Sequence, residues 1–139
     1  PAAARAYFER ALANYRGAYG PSHHDIALVL ANLGATDYAL GDLERATERY
    51  REALAMTREE LGAHHHHVAD ILAGQARLAS QLGDADAALA RALEARQILT
   101  AIHTDPEHPR RVEISALIDS IRAAGAAEAG ADQSPDPGD

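Results

Sequence analysis

The chain resembles itself at a displacement of 42 residues, and this limits the folds open to it more than any single motif. Gly20 falls on Gly62, His23 on His65, Ile26 on Val68, Leu30 on Leu72, Gly41 on Gly83, Asp42 on Asp84, Ala46 on Ala88 and Ala53 on Ala95. A period of this length marks a supersecondary unit that buries its apolar face only by stacking on a neighbour. Displaced backwards, Ala46 falls on Ala4, Tyr50 on Phe8, Ala53 on Ala11 and Leu54 on Leu12, so the sequence opens in the second half of an earlier unit. Displaced forwards, Gly83 falls on Gly125, and His65 falls beside His108 with one residue inserted. A third unit therefore contributes its first half.

Each half has the marks of a helix. No proline stands between Ser22 and Asp105, and Ala, Leu, Arg and Glu dominate that stretch, all of them strong helix formers. Val and Ile never alternate with polar residues over a strand's length, so the class is all-α. Gly41-Asp42 and Gly83-Asp84 each supply a glycine to end one helix and an aspartate to cap the next. Ser22 and Asp25 have capping-box spacing ahead of Ile26, Leu28, Val29, Leu30 and Leu33. The expected helices are Ala2 to Tyr19, Asp25 to Leu40, Leu43 to Leu61, His66 to Leu82, Ala85 to His103 and Arg110 to Ala124. From Gly125 onward no large apolar residue occurs, so an acidic disordered tail is expected over 125–139.

Composition excludes several functions. The chain has 13 basic and 21 acidic residues, a net charge of −8, which suits no nucleic-acid phosphate backbone. No apolar run approaches bilayer-spanning length and no signal peptide opens the chain, so neither a membrane nor nucleic acid is an expected partner and a cytoplasmic location is. With no cysteine there is no disulfide, thiolate metal site or cysteine nucleophile. All the basic residues are arginine, which together with the abundance of Ala fits a GC-rich, bacterial genome. From the absent initiator Met and the amphipathic pattern already running at Ala4, the chain is expected to be a piece of a longer protein.

Helix pairs at this period, with small residues where helices cross, resemble the tetratricopeptide repeat (TPR), and in particular its 42-residue form. That form occurs in kinesin light chains and in arrays attached to bacterial signalling nucleotide-switch domains. The residues that carry the likeness are the large-small pair Leu33-Gly34, the turn Gly41, and Ala46, Tyr50 and Ala53 in the second helix. The loop from Gly20 to Ala27 resembles the Gly-Pro-Asp-His-Pro-Asp-Val-Ala segment between units, and Asp105-Pro106-Glu107-His108-Pro109 echoes it. Departures are Asp37 and Ala79 at a usual aromatic, Ala92 at the second-helix aromatic, and Gln75 opposite Leu33. The resemblance implies a right-handed α-solenoid of antiparallel helix pairs. Residues 1–19 are then the second helix of a truncated repeat, 20–61 and 62–103 full repeats, and 104–124 a capping helix.

The same resemblance implies that a ligand sits in the concave groove along the first helix of each unit. The residues it points there are Leu28, Ala31, Asn32, Ala35 and Tyr38, then Asp70, Ala73, Gly74, Arg77 and Gln81. Asn32 stands where peptide-binding relatives use an amide to pair with a peptide backbone, since an amide donates and accepts; the plain alternative is a solvated side chain. Arg77 offers a fork to a carboxylate, or merely a solvated charge. The Lys and Arg set of chaperone-tail clamps is absent. At the other end, the apolar side of Ala4, Phe8, Ala11, Leu12 and Tyr15 has lost its covering helix, which leaves it either to the helix starting at Asp25 or to self-association.

Histidines gather in the loops between units: His23 and His24, then His64, His65, His66 and His67, then His103 and His108. Imidazole is the commonest ligand for zinc and nickel, so a metal- or pH-responsive element is the alternative function. No metal or cofactor is expected, because consecutive histidines are not expected to face one ion. No HExxH, GxSxG or phosphate loop occurs, and Ser22, Ser80, Ser115 and Ser120 have no partner identifiable by spacing. The sequence therefore reads as a non-enzymatic protein-interaction scaffold, the C-terminal part of a larger bacterial regulatory protein, with a protein or peptide as ligand.

Overall fold

The computed structural model describes residues 1–132, which form six α-helices: α1 Ala2–Tyr19, α2 His24–Ala39, α3 Leu43–Leu61, α4 His66–Gln81, α5 Ala85–Ile102 and α6 Pro109–Asp132. Among these residues there is no strand. The two hinges within units are the same motif. Gly41 N–H donates to Tyr38 O and Asp42 N–H to Asp37 O; Gly83 and Asp84 repeat this on Ser80 and Ala79. Both glycines take a φ near 80°, where a Cβ would be strained, so each can close the helix behind it while Asp42 or Asp84 accepts from an amide of the next.

The apolar stripe of each helix meets the others in one continuous core. Ile26, Leu30, Leu33, Val68, Leu72 and Ile118 are fully buried, and Ala46, Ala53, Ala88, Ala92 and Ala95 let the helices cross closely. Tyr50 of α3 ties two units together. A Cβ placed on Gly34 would stand 2.9 Å from its Cδ1, and one on Gly74 would stand 2.6 Å from its Cζ. The ring is thus held between α2 and α4 in a space that only glycine leaves free. Burial pushes its phenol up to about 12, with nearby Arg77 opposing and Tyr38 adding to the shift.

The array bends because its two sides are unequally spaced. α2 reaches α4 and α4 reaches α6 at backbone level, whereas α1, α3 and α5 do not approach one another so closely. Long side chains bridge that outer side: Arg16 to Glu52 at 2.8 Å and Arg58 to Glu94 at 2.6 Å. These are the same pair one repeat apart. Being well exposed, each is worth at most about 1 kcal/mol. The concave side is accordingly lined by α2, α4 and α6. The fold is an all-α solenoid.

One expectation changes. The helix expected to end at Ala124 runs on to Asp132, because Ala126, Ala127, Glu128, Ala129 and Ala131 are strong helix formers and Gly125 takes no positive φ there that would end the helix. The disordered tail expected from Gly125 is therefore helical over 125–132, and the rest of it lies outside the described residues. At the other end, α1 is not wholly open. Leu12 is buried and Phe8 and Ala11 pack partly on the core, leaving Tyr7 62% exposed with Tyr15 and Tyr19 also exposed.

Candidate binding cleft

Between α2 and α4 lies a cleft of about 220 Å³. One wall is Ala27, Leu28, Ala31, Asn32 and Ala35 of α2; the other is Asp70, Ile71, Gly74 and Arg77 of α4; the floor is Tyr50, Thr57 and Leu61 of α3. The walls follow from helix periodicity, since positions 28, 31, 32 and 35 share one face of α2. Leu28 is 45% exposed there, an apolar anchor facing the opening. Asn32 and Arg77 project from opposite walls, and His24 and His67 line the cleft where both wall helices begin.

Charges in the cleft are unevenly committed. Asp70 is ion-paired with Arg110 of α6, while Arg77 forms no salt bridge among the described residues. The cleft therefore presents one uncommitted cation over an apolar floor, with an amide opposite. That arrangement can hold an extended segment by an apolar side chain and by hydrogen bonds or a carboxylate at the rim.

Of the residues expected in the groove, Leu28, Ala31, Asn32, Ala35, Asp70, Gly74 and Arg77 meet in this cleft. Ala73 turns instead towards a second hollow between α4 and α6. Tyr38 is partly buried against the core, and Gln81 is the exposed last residue of α4; neither lines the cleft. The floor residues Tyr50, Thr57 and Leu61 were missed, since repeat register names the first helix of a unit and not what backs it.

The loop histidines have a structural task that spacing alone did not disclose. The Nδ1 of His23 accepts from Asp25 N–H at 3.1 Å, that of His65 from His67 N–H at 3.1 Å, and that of His108 from Arg110 N–H at 3.3 Å. One imidazole per unit thus caps the start of each inner helix. Three of the four consecutive histidines lie close together. His65, His66 and His67 each place a ring nitrogen within 4.8 Å of the others, as do His23, His24 and Asp25 with their ligand atoms. His64 stands apart, lining a separate hollow beside Arg58 and Glu94.

A family model described as tetratricopeptide repeat matches residues 1–59. Over those residues the chain is similar to the tetratricopeptide repeat (TPR). The crystal structure of BtubC (BKLC) from P. vanneervenii superposes with a TM-score of 0.69 over 97% of the present chain, at 21% identity. The present chain spans 59% of that protein, and at such identity the likeness speaks for the helical-repeat fold alone. None of the curated proteins matches the present chain. TPR units generally mediate protein–protein interaction. Among the described residues no helix is long and apolar enough to cross a membrane.

Proposed function

We propose that the chain is a non-enzymatic, cytoplasmic interaction scaffold that binds a peptide or protein segment in the α2–α4 cleft. The observation that supports this reading is the cleft itself, lined by apolar Leu28 and Ile71 together with an exposed amide, Asn32, and an uncommitted guanidinium, Arg77. An extended backbone suits Asn32, and an acidic group on the ligand suits Arg77. Neither nucleic acid nor a membrane surface matches a chain of net charge −8.

The test begins with a peptide selected on the chain from a displayed library and titrated by calorimetry. Asn32→Ala should weaken it by about 0.5–1.5 kcal/mol, the net value of one hydrogen bond, without loss of stability. Arg77→Ala should weaken an acidic peptide, and less so at high salt. Unchanged affinity in both variants, with binding lost on changing Phe8 or Tyr15, would move the working surface to α1 and favour self-association there.

A further inference from the structure

We propose that His65, His66 and His67 form a binding site for a divalent cation of the zinc or nickel kind. Each offers a ring nitrogen within 4.8 Å of the other two, and the rings stand 4.2–4.9 Å apart between centroids. Nitrogens bound to one tetrahedral zinc lie about 3.4 Å apart, so small rotations bring the set onto an ion. The convergence has a local cause. His65 caps α4 with an extended backbone, φ −73° and ψ 145°, which folds its ring back over the first turn. His66 and His67 leave that same turn beside it. All three are only partly buried, so water and metal reach them.

Two charges oppose a cation here and one offsets them. The start of α4 carries the positive end of a helix dipole, and Arg110 lies near. Arg110 is ion-paired to Asp70, which offsets its charge at short range. Imidazole donors favour zinc, nickel and copper over magnesium and calcium, so the site discriminates by ligand type.

The chemistry at His65 makes the proposal specific. A neutral imidazole has one lone pair and one N–H, and the lone pair on Nδ1 now accepts from His67 N–H at 3.1 Å. A metal on Nδ1 displaces that bond directly. A metal on Nε2 requires the proton to move to Nδ1, which then no longer accepts. Metal binding and the helix cap thus compete for one ring, lowering affinity by about tenfold relative to an uncommitted tris-imidazole set. Three protein ligands leave a fourth position open to water. The equivalent His23, His24 and Asp25 set has one imidazole fewer, and its carboxylate lies 3.6 Å and 3.4 Å from His23 Nδ1 and His24 Nε2. It serves as the internal control.

Zinc chloride and nickel chloride, with magnesium chloride as the reference, are titrated into the chain at pH 7.5 by calorimetry. The expected result is saturable binding of one zinc or nickel ion and none of magnesium. His66→Gln combined with His67→Gln should weaken it at least tenfold, with unchanged circular dichroism, while His24→Gln leaves it as it was. On zinc addition the His67 amide should exchange hydrogen faster as its cap is lost. Absent saturable binding, an affinity untouched by the double substitution, an equal loss with His24→Gln, or an unaltered His67 amide would each overturn the site.

Discussion

Arg5 of α1 sets its Nε 2.7 Å from Oδ1 of Asp37 on α2, and its Nη2 3.3 Å from Oδ2 of Asp42 at the following turn. Asp37 is 1% exposed and occupies a position where the family usually has an aromatic. The departure has a physical reason: a carboxylate from one unit meets a guanidinium from the unit before it. The α1–α2 junction is thus held in part by a buried charge pair.

Removing one partner of that pair should therefore matter far more than removing a surface pair. Arg5→Ala leaves the Asp37 carboxylate buried without its counter-ion, and a loss of about 2–3 kcal/mol is expected in urea denaturation. Arg5→Ala with Asp37→Leu should recover most of it. Arg58→Ala, which breaks only the exposed pair with Glu94, should change stability by less than about 1 kcal/mol.

The glycines against Tyr50 give an ordered pair of effects. Gly74→Ala meets Tyr50 Cζ at 2.6 Å and Gly34→Ala meets Cδ1 at 2.9 Å. Alanine gains about 1 kcal/mol of helix propensity in either place, but overpacking costs about 1–3 kcal/mol. Gly74→Ala should lower the melting temperature and Gly34→Ala should lower it less. If both raise it, Tyr50 is not held as described.

Gln75 is a stabilisation target. Its Oε1 is buried without a hydrogen-bond partner, and the residue one repeat earlier is Leu33, which is fully buried. Gln75→Leu removes the unpaired acceptor and restores the repeat's apolar contact. Stability should rise by about 1 kcal/mol or more, read as a higher denaturation midpoint at unchanged slope.

Acid should weaken the fold around α4. Burial first, then the neighbouring histidine charges and Arg110, lower the pKa of His66, with Asp70 opposing; His67 is lowered by burial and His65, again against Asp70. A folded pKa below the unfolded one means that the unfolded state takes up protons first as the pH falls. The stability these groups contribute is thus complete above about 6.5 and is lost as the pH drops from there through their folded values. Denaturation midpoints at pH 7.5 and 5.5 should differ less in the His66→Gln, His67→Gln variant than in the parent chain.

Helix positions were legible because their punctuation is chemical. Gly41-Asp42 and Gly83-Asp84 each end one helix and cap the next, so expected bounds for α1 to α5 agree with the observed ones to within one residue. The end of α6 was not legible, since a glycine signals a stop only when the following residues cannot sustain a helix, and here they are mostly alanine. The cleft walls could be read from repeat register. Its floor could not, because the register is silent on how deeply a second helix backs the gap between two first helices. The meeting of His65, His66 and His67 depends on one backbone angle at His65, which no spacing encodes.

Tyr50 has no counterpart one unit later, where Ala92 stands. The first junction is thus braced by one ring gripped on both sides, while the second rests on Ile114, Ile118 and Ile121 of α6, all buried, whose separate aliphatic contacts include no single ring wedged between the helices. Treated as a spring, the solenoid has unequal compliance along its length. A load applied at the two ends should flex the α4–α6 segment while α2 to α4 moves as a block, so the cleft keeps its width while the far end changes its angle.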